Sequence, residues 1–255
     1  MDEKVIVIGL GEMGSVFARG FLKLGYPVYP VTREKDLSGA AQTIPNPRLV
    51  VVAVGEADIH SVIDTLPFCW LDRVVLLQNE LLPRDWQGKI NDPTVISVWF
   101  EKKKGQDSKV IIPSPIYGPH AQVVKDALAT LDIASRVVDS KETLLFELVR
   151  KNVYILTSNI AGLAVGGNVG ELWSQHQTLA TQIVNDVLKI QEKLTGTNLD
   201  AEPYIQGMVE AFNGDPEHKC MGRSAPQRLA RALQQAQEFG VDVPTLRDIQ
   251  RKSAL

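Results

Sequence analysis

Two rhythms of apolar and polar positions divide the chain. From Lys4 to about residue 140, short uninterrupted apolar runs alternate with segments of helical spacing. Val5–Ile8 is a β-branched run, the pattern of a strand buried on both faces. It leads into a stretch with Val16, Phe17, Phe21 and Leu24 at helical spacing, stopped at Gly25. Val28–Val31, Leu49–Val54, Val74–Leu77, Val95–Phe100, Lys109–Ile112 and Arg136–Val138 predict further strands. Ala57–Leu66, ended by Pro67, and Pro119–Leu131, with proline near its start, predict helices between them. Strands alternating with helices predict an α/β fold, a doubly wound parallel sheet with helices on both faces.

From Lys141 onward the strand pattern stops. Glu142–Leu163 predicts a long helix, broken at Gly162 and again at Gly166-Gly167; Gly170–Leu194 predicts a second, closed by Gly196. Ala201–Phe212 and Arg223–Phe239, the latter stopped by Gly240, predict two more, and Pro244 starts a short terminal helix. The expected organisation is an α/β domain over residues 1–140 and an all-helical domain over 141–255. Ile183, Val184, Val187, Leu188 and Leu194 form broad apolar faces. A homodimer interface is the expectation for part of them, and a core within the domain explains them equally well.

The turn after the first strand carries the clearest chemistry. Gly9-Leu10-Gly11-Glu12-Met13-Gly14 is a G-x-G-x-x-G motif between a predicted strand and a predicted helix. Gly9 permits the tight turn, Gly11 lets backbone approach a pyrophosphate, and Gly14 lets helix and strand pack closely. The phosphates then sit where free N–H groups and the helix dipole favour negative charge. A site preferring NAD ends its second strand in an acid that binds the ribose 2′-hydroxyl. Here that position is Thr32, followed by Arg33, with Lys35 as a second cation. A guanidinium can fork a phosphate, which favours NADP.

Composition narrows the remaining classes. Apolar residues are 44% and charged residues 22% of 255, ordinary for a soluble globular protein, and a net charge of −3 gives no footprint for nucleic acid. Lys102-Lys103-Lys104 beside Gly105 reads as a solvated loop. No apolar stretch reaches membrane-spanning length, and Met1-Asp2-Glu3-Lys4 leads directly into a strand, unlike a secretory leader. Cys69 and Cys220 stand far apart, which fits reduced thiols in a cytoplasmic protein. Four histidines without metal-ligand spacing argue against a zinc site.

Two further places bear candidate groups. Asn79 lies just past the Val74–Leu77 strand, where ligands of doubly wound sheets bind; its amide either faces nicotinamide or substrate, or holds a loop turn. Lys151, Ile155 and Asn159 share one stripe of an otherwise apolar helix. The lysine is either a general acid and anion binder beside a cleft, or a packed stem whose ammonium reaches water.

These residues together resemble the ketopantoate reductase (2-dehydropantoate 2-reductase) family. Met1 to Gly14, Thr32-Arg33, Leu77-Gln78-Asn79, Lys151 with Asn159, and the closing Gly240-Val241-Asp242-Val243-Pro244 fall in that family's order and spacing. The resemblance implies a Rossmann domain, a helical C-terminal domain, NADPH, and reduction of a 2-keto acid. It implies Lys151 as general acid, Asn79 in contact with cofactor and substrate, and Asn159 on the substrate, a small carboxylate. Three positions depart from the family. Ile155 stands where an asparagine follows the lysine, Glu80 stands for glycine in the LQNG loop, and Ser224 stands at the place of a substrate-binding glutamate. A dehydrogenase of the 3-hydroxyacid or 6-phosphogluconate type is the neighbouring reading, through the GLGxMG turn. A non-catalytic NADP-binding module is the reading from another class, favoured by the missing asparagine and glutamate.

Overall fold

The computed structural model describes residues 3–253, so Met1 and Asp2, at the head of the family resemblance, lie outside the described residues. The chain forms two compact units that divide between Leu148 and Val149. The boundary expected near residue 140 falls at the start of a long helix, whose first two turns belong to the N-terminal unit.

The N-terminal unit begins β1 (Val5–Ile8), α1 (Glu12–Lys23), β2 (Val28–Val31), α2 (Leu37–Thr43), β3 (Leu49–Val52), α3 (Ile59–Thr65) and β4 (Val74–Leu76). It continues β5 (Thr94–Ile96), β6 (Phe100–Glu101), β7 (Lys109–Val110), β8 (Ser114–Tyr117), α4 (Ala121–Ala129) and β9 (Ser135–Val137). The main sheet has the order β2-β1-β3-β4-β5-β8-β9. Every residue of β1, β3 and β4 is buried, as expected for strands covered on both faces. Phe17 and Phe21 of α1 pack on one face with Val124, Ala127 and Leu128 of α4.

The differences from the expected elements have local causes. The apolar run at 95–100 is two pieces, because Val98 and Trp99 turn the chain out of β5 into the separate antiparallel hairpin β6–β7. β8 is a strand that the sequence reading passed over, since it carries Pro115. It pairs antiparallel with β5, and the Pro115 carbonyl accepts from the Ser97 N–H at 3.0 Å. Pro30 lies in β2, which pairs only with β1 at the sheet edge, where a missing donor is tolerated. Helix α2 rests on a cap: the Asp36 carboxylate accepts from the backbone N–H groups of Ser38 and Gly39.

The second unit is built of α5 (Lys141–Val165), α6 (Val169–Gln175), α7 (Gln177–Thr195), α8 (Ala201–Gly214), α9 (Ala225–Glu238) and α10 (Pro244–Ser253), with α5 starting in the first unit. Residues 149–161 of α5 are buried on every side, so it is a central helix rather than an amphipathic surface one. It runs unbroken through Gly162. A Cβ there would lie 2.8 Å from the Met221 backbone nitrogen, so this glycine serves close packing and does not end the helix. The single helix expected over 170–194 is instead α6 and α7, parted at His176, whose backbone leaves the helical region with no glycine or proline to mark it. Gly196 closes α7 at φ +67. Buried Asp186 of α7 accepts from the N–H groups of Thr245 and Leu246, which fixes the start of α10. Ile183, Val184, Val187 and Leu188 are buried within this unit, so its own core accounts for that apolar face. No helix among the described residues is long and apolar enough to cross a membrane.

Candidate functional site

In the order β2-β1-β3-β4 the chain runs from β1 to β2 on one side and from β3 to β4 on the other, and ligands of such sheets bind at that switch, beyond the strand ends. The glycine turn is built there. Gly9 has φ +87, and its N–H donates to the Val31 carbonyl at 2.9 Å. A Cβ on Gly9 would come within 2.8 Å of the Ala53 carbonyl oxygen, and one on Gly14 within 2.0 Å of the Gly9 oxygen. Both positions therefore demand glycine, one for its backbone and one for the approach of α1 to the turn. Gly11 is the N-cap of α1, its side makes no capping bond, and a Cβ there would meet nothing within 4 Å. The start of α1 thus has open space beside it, which leaves room for a pyrophosphate at the helix N-terminus. Leu10 is exposed, Met13 packs on the core, and Glu12 is the acid of the first helical turn.

At the end of β2, Arg33 extends into solvent with its side chain 92% exposed and pairs with Asp58 at 3.1 Å. The Lys35 ammonium lies 4.6 Å from the centre of the Tyr29 ring and donates to the Pro30 carbonyl at 3.1 Å. The Lys35 N–H donates to the Thr32 carbonyl, closing the turn that presents both cations.

Asn79 is placed by its neighbours on both sides. The buried Gln78 amide donates to the carbonyls of Val52 at 2.7 Å and Val54 at 3.2 Å, and its oxygen accepts from the Leu77 N–H. That bridges the ends of β4 and β3 beside the glycine turn. Glu80 follows at φ +61, the left-handed conformation that the family's glycine would adopt without strain. The sequence marked Gln78 only as a loop residue; a polar side chain closing an apolar strand was the signal for a staple between strand ends.

The other candidate residues belong to the helical unit. Lys151 is 9% exposed. The residues on either side anchor the helix around it: Arg150 donates to the Gly207 carbonyl and pairs with Glu210 at 2.9 Å, and the Asn152 amide donates to Gln191 at 3.0 Å. The Lys151 ammonium lies 5.3 Å from the centre of the Tyr154 ring, which itself packs against Phe212 and His218. That is within reach of a cation–π contact. One group beside the ammonium is thus Tyr154, three residues on from the lysine. Asn159 lies two turns further, and both ends of its amide are engaged: Nδ2 donates to the Ile155 carbonyl at 2.9 Å, and Oδ1 accepts from Arg228 at 3.1 Å. Ser224 is the N-cap of α9 and makes no side-chain capping bond; Arg228 follows one turn later. Asn159, Arg228 and the Gly222–Ser224 turn are thus brought together, and a Cβ on Gly222 would lie 3.6 Å from the Asn159 oxygen. Arg228 carried no sequence signal. Cys220 is buried, and loss of solvation with the nearby Glu171 charge pushes its thiol up to about 11, which makes it unreactive at neutral pH. Among the described residues no cluster of His, Cys, Asp and Glu could hold a metal ion.

A mostly parallel sheet with a glycine turn at its switch point, followed by a helical unit, defines a Rossmann-type architecture. The particular form is that of the ketopantoate reductases, and the likeness is one of fold. The chain is similar to 2-dehydropantoate 2-reductase from Methylococcus capsulatus, at 14% identity and TM-score 0.69, over 96% of this chain and 94% of that one. It is similar to a dimeric ketopantoate reductase from Staphylococcus aureus, at 16% identity and TM-score 0.63, over 98% of this chain and 97% of the other. D-mandelate dehydrogenase in complex with NADH is similar at 16% identity and TM-score 0.65, over 97% and 96% of the two chains. No family model matches the chain. No curated protein matches it in sequence.

Proposed function

We propose that the chain is an NADPH-dependent reductase of a small 2-keto acid, related in mechanism to the ketopantoate reductases. The observation that carries this reading is a buried lysine, Lys151, opening the helical unit that follows a dinucleotide-binding fold. The fold likeness to a ketopantoate reductase and to D-mandelate dehydrogenase supports it.

The nicotinamide, when bound, supplies a hydride to the carbonyl carbon. Lys151 donates a proton to the carbonyl oxygen as it gains charge, and the product is the 2-hydroxy acid. Tyr154 holds the ammonium by its ring face, so the donor is placed before substrate arrives. Asn79, fixed between the Gln78 staple and Glu80, offers an amide to the nicotinamide and the substrate. Asn159 and the Ser224 turn bind the substrate carboxylate region, with Arg228 setting the orientation of the Asn159 amide. The first-turn N–H groups after Gly9, Leu10, Gly11, Glu12, Met13 and Gly14 hold the pyrophosphate, and Thr32, Arg33 and Lys35 receive the 2′-phosphate. A cytoplasmic homodimer completes the reading, supported by the dimeric neighbour. One observation favours the second reading, a non-catalytic NADP-binding module: the Asn159 amide is engaged by the protein at both ends.

Binding tests the cofactor half. A fluorescence titration is expected to give tighter binding of NADPH than of NADH. Arg33→Ala is expected to remove most of that difference, on the order of 1–3 kcal/mol for a charge-assisted contact. Equal affinity of the unaltered chain for both dinucleotides contradicts the NADP assignment.

A further inference from the structure

The loop between β6 and β7 carries three consecutive lysines, and they differ sharply in their surroundings. Lys103 is 66% exposed and pairs with Glu101, as a solvated loop residue does. Lys102 is only 15% exposed. Its ammonium donates to the carbonyls of Lys103, at 2.9 Å, and Gln106, within its own loop. Those two bonds hold it in place. Its third direction is taken by the Glu12 carboxylate, 3.5 Å away, in the first turn of α1. The hairpin is independently docked on that helix: Phe100 of β6 packs against Phe17 of α1, ring centres 6.3 Å apart, and Phe100 and Val110 belong to the core beneath.

The arrangement is costly for an anion site unless the lysine serves it. Glu12 puts a negative charge in the first turn of α1, beside the open space at Gly11. A carboxylate there complements the helix dipole but repels a pyrophosphate. The lysine beside it cancels that charge, and its loosest contact is the one toward the turn. A compact ammonium with three donors suits a phosphate oxygen as well as a carboxylate.

We propose that Lys102 is a phosphate-binding residue of the dinucleotide site, held ready by Glu12, and that it exchanges this carboxylate for a phosphate oxygen when dinucleotide binds. The inference rests on the reading of the Gly9–Gly14 turn as the dinucleotide site. It adds to that turn a cation from outside the Rossmann sheet, and it makes the hairpin part of the binding surface.

NADPH titration of the full chain tests it, with Lys102→Met, Glu12→Gln and the double variant, at low and at physiological salt. Lys102→Met is expected to weaken NADPH about tenfold at low salt and to flatten the salt dependence. Lys102→Arg retains affinity, and Glu12→Gln, which removes the competing carboxylate, is expected to bind NADPH more tightly than the unaltered chain. The double variant stays weak, because the phosphate contact is lost with the lysine. Melting curves establish that each variant is folded. A Lys102→Met chain that binds like the unaltered one overturns the inference. So does a double variant restored to full affinity, since the lysine then only offsets Glu12. Both outcomes leave the dinucleotide reading intact. An unaltered chain that binds no NADPH overturns that reading, and the inference with it.

Discussion

Glu80 holds a backbone conformation, φ +61, that costs a residue with a Cβ on the order of 1 kcal/mol or more. The position follows Asn79 in the loop beyond β4, where the family resemblance has glycine. Such strain persists where the surroundings over-determine the loop, here through the Gln78 staple to β3. Glu80→Gly is expected to raise stability by about 0.5–1 kcal/mol, after the greater freedom of glycine in the unfolded chain is set against the relieved strain. Urea denaturation measures it, and a lower midpoint for the variant would show that the glutamate's own contacts outweigh the strain. The substitution of glutamate for glycine was plain in the sequence. That the loop nonetheless keeps the glycine-like conformation was not, because it depends on what Gln78 reaches across the sheet. At this scale the glycine turn was fully legible: a β-branched run, G-x-G-x-x-G and a helical period leave one backbone solution. Tyr154 and Arg228 were not legible as partners of Lys151 and Asn159. The stripe of residues four apart drew attention to Ile155, while the lysine's ammonium lies near the ring of the residue three on.

Among the elements, α5 shows where pattern reading runs out. Its length and apolar content were evident, but Gly162 and Gly166-Gly167 looked alike as helix breakers. Only the pair at 166–167 takes positive φ; Gly162 stays helical and lets the Met221 backbone approach. The two accounts predict opposite signs. A glycine that merely weakens a helix is improved by alanine, by up to about 1 kcal/mol. A glycine under backbone contact is not, and Gly162→Ala is expected to destabilise by about 1–3 kcal/mol as the 220–222 turn is displaced. Thermal or chemical denaturation decides between them, and an increase in stability would contradict the packing described here. One strand was hidden for a related reason. β8 bears Pro115, and proline argues against a strand unless the lost donor falls where no partner needs it, which is a fact of neighbours rather than of local sequence; β2, with Pro30 at the sheet edge, was still legible from its apolar run. The hairpin β6–β7 is the element whose role changes most, since the loop read as solvated places Lys102 against α1.

For the whole molecule, the fold class was readable because two periodicities change over at one place along the chain. The division at Leu148–Val149 shifts that boundary into α5, so that Lys151 stands in the first turn of the second unit. The central claim is a reductase in which the N-terminal unit binds NADPH and Lys151 supplies the proton. The most direct measurement is NADPH consumption by the full chain against a panel of small 2-keto acids, repeated with Lys151→Ala. The account predicts turnover of at least one member of the panel. It predicts a loss of about 100-fold or more in kcat for Lys151→Ala, with NADPH affinity nearly unchanged, as for a proton donor acting in the transition state. A Lys151→Ala chain with full turnover, or an unaltered chain that binds NADPH and reduces none of the 2-keto acids, would contradict it.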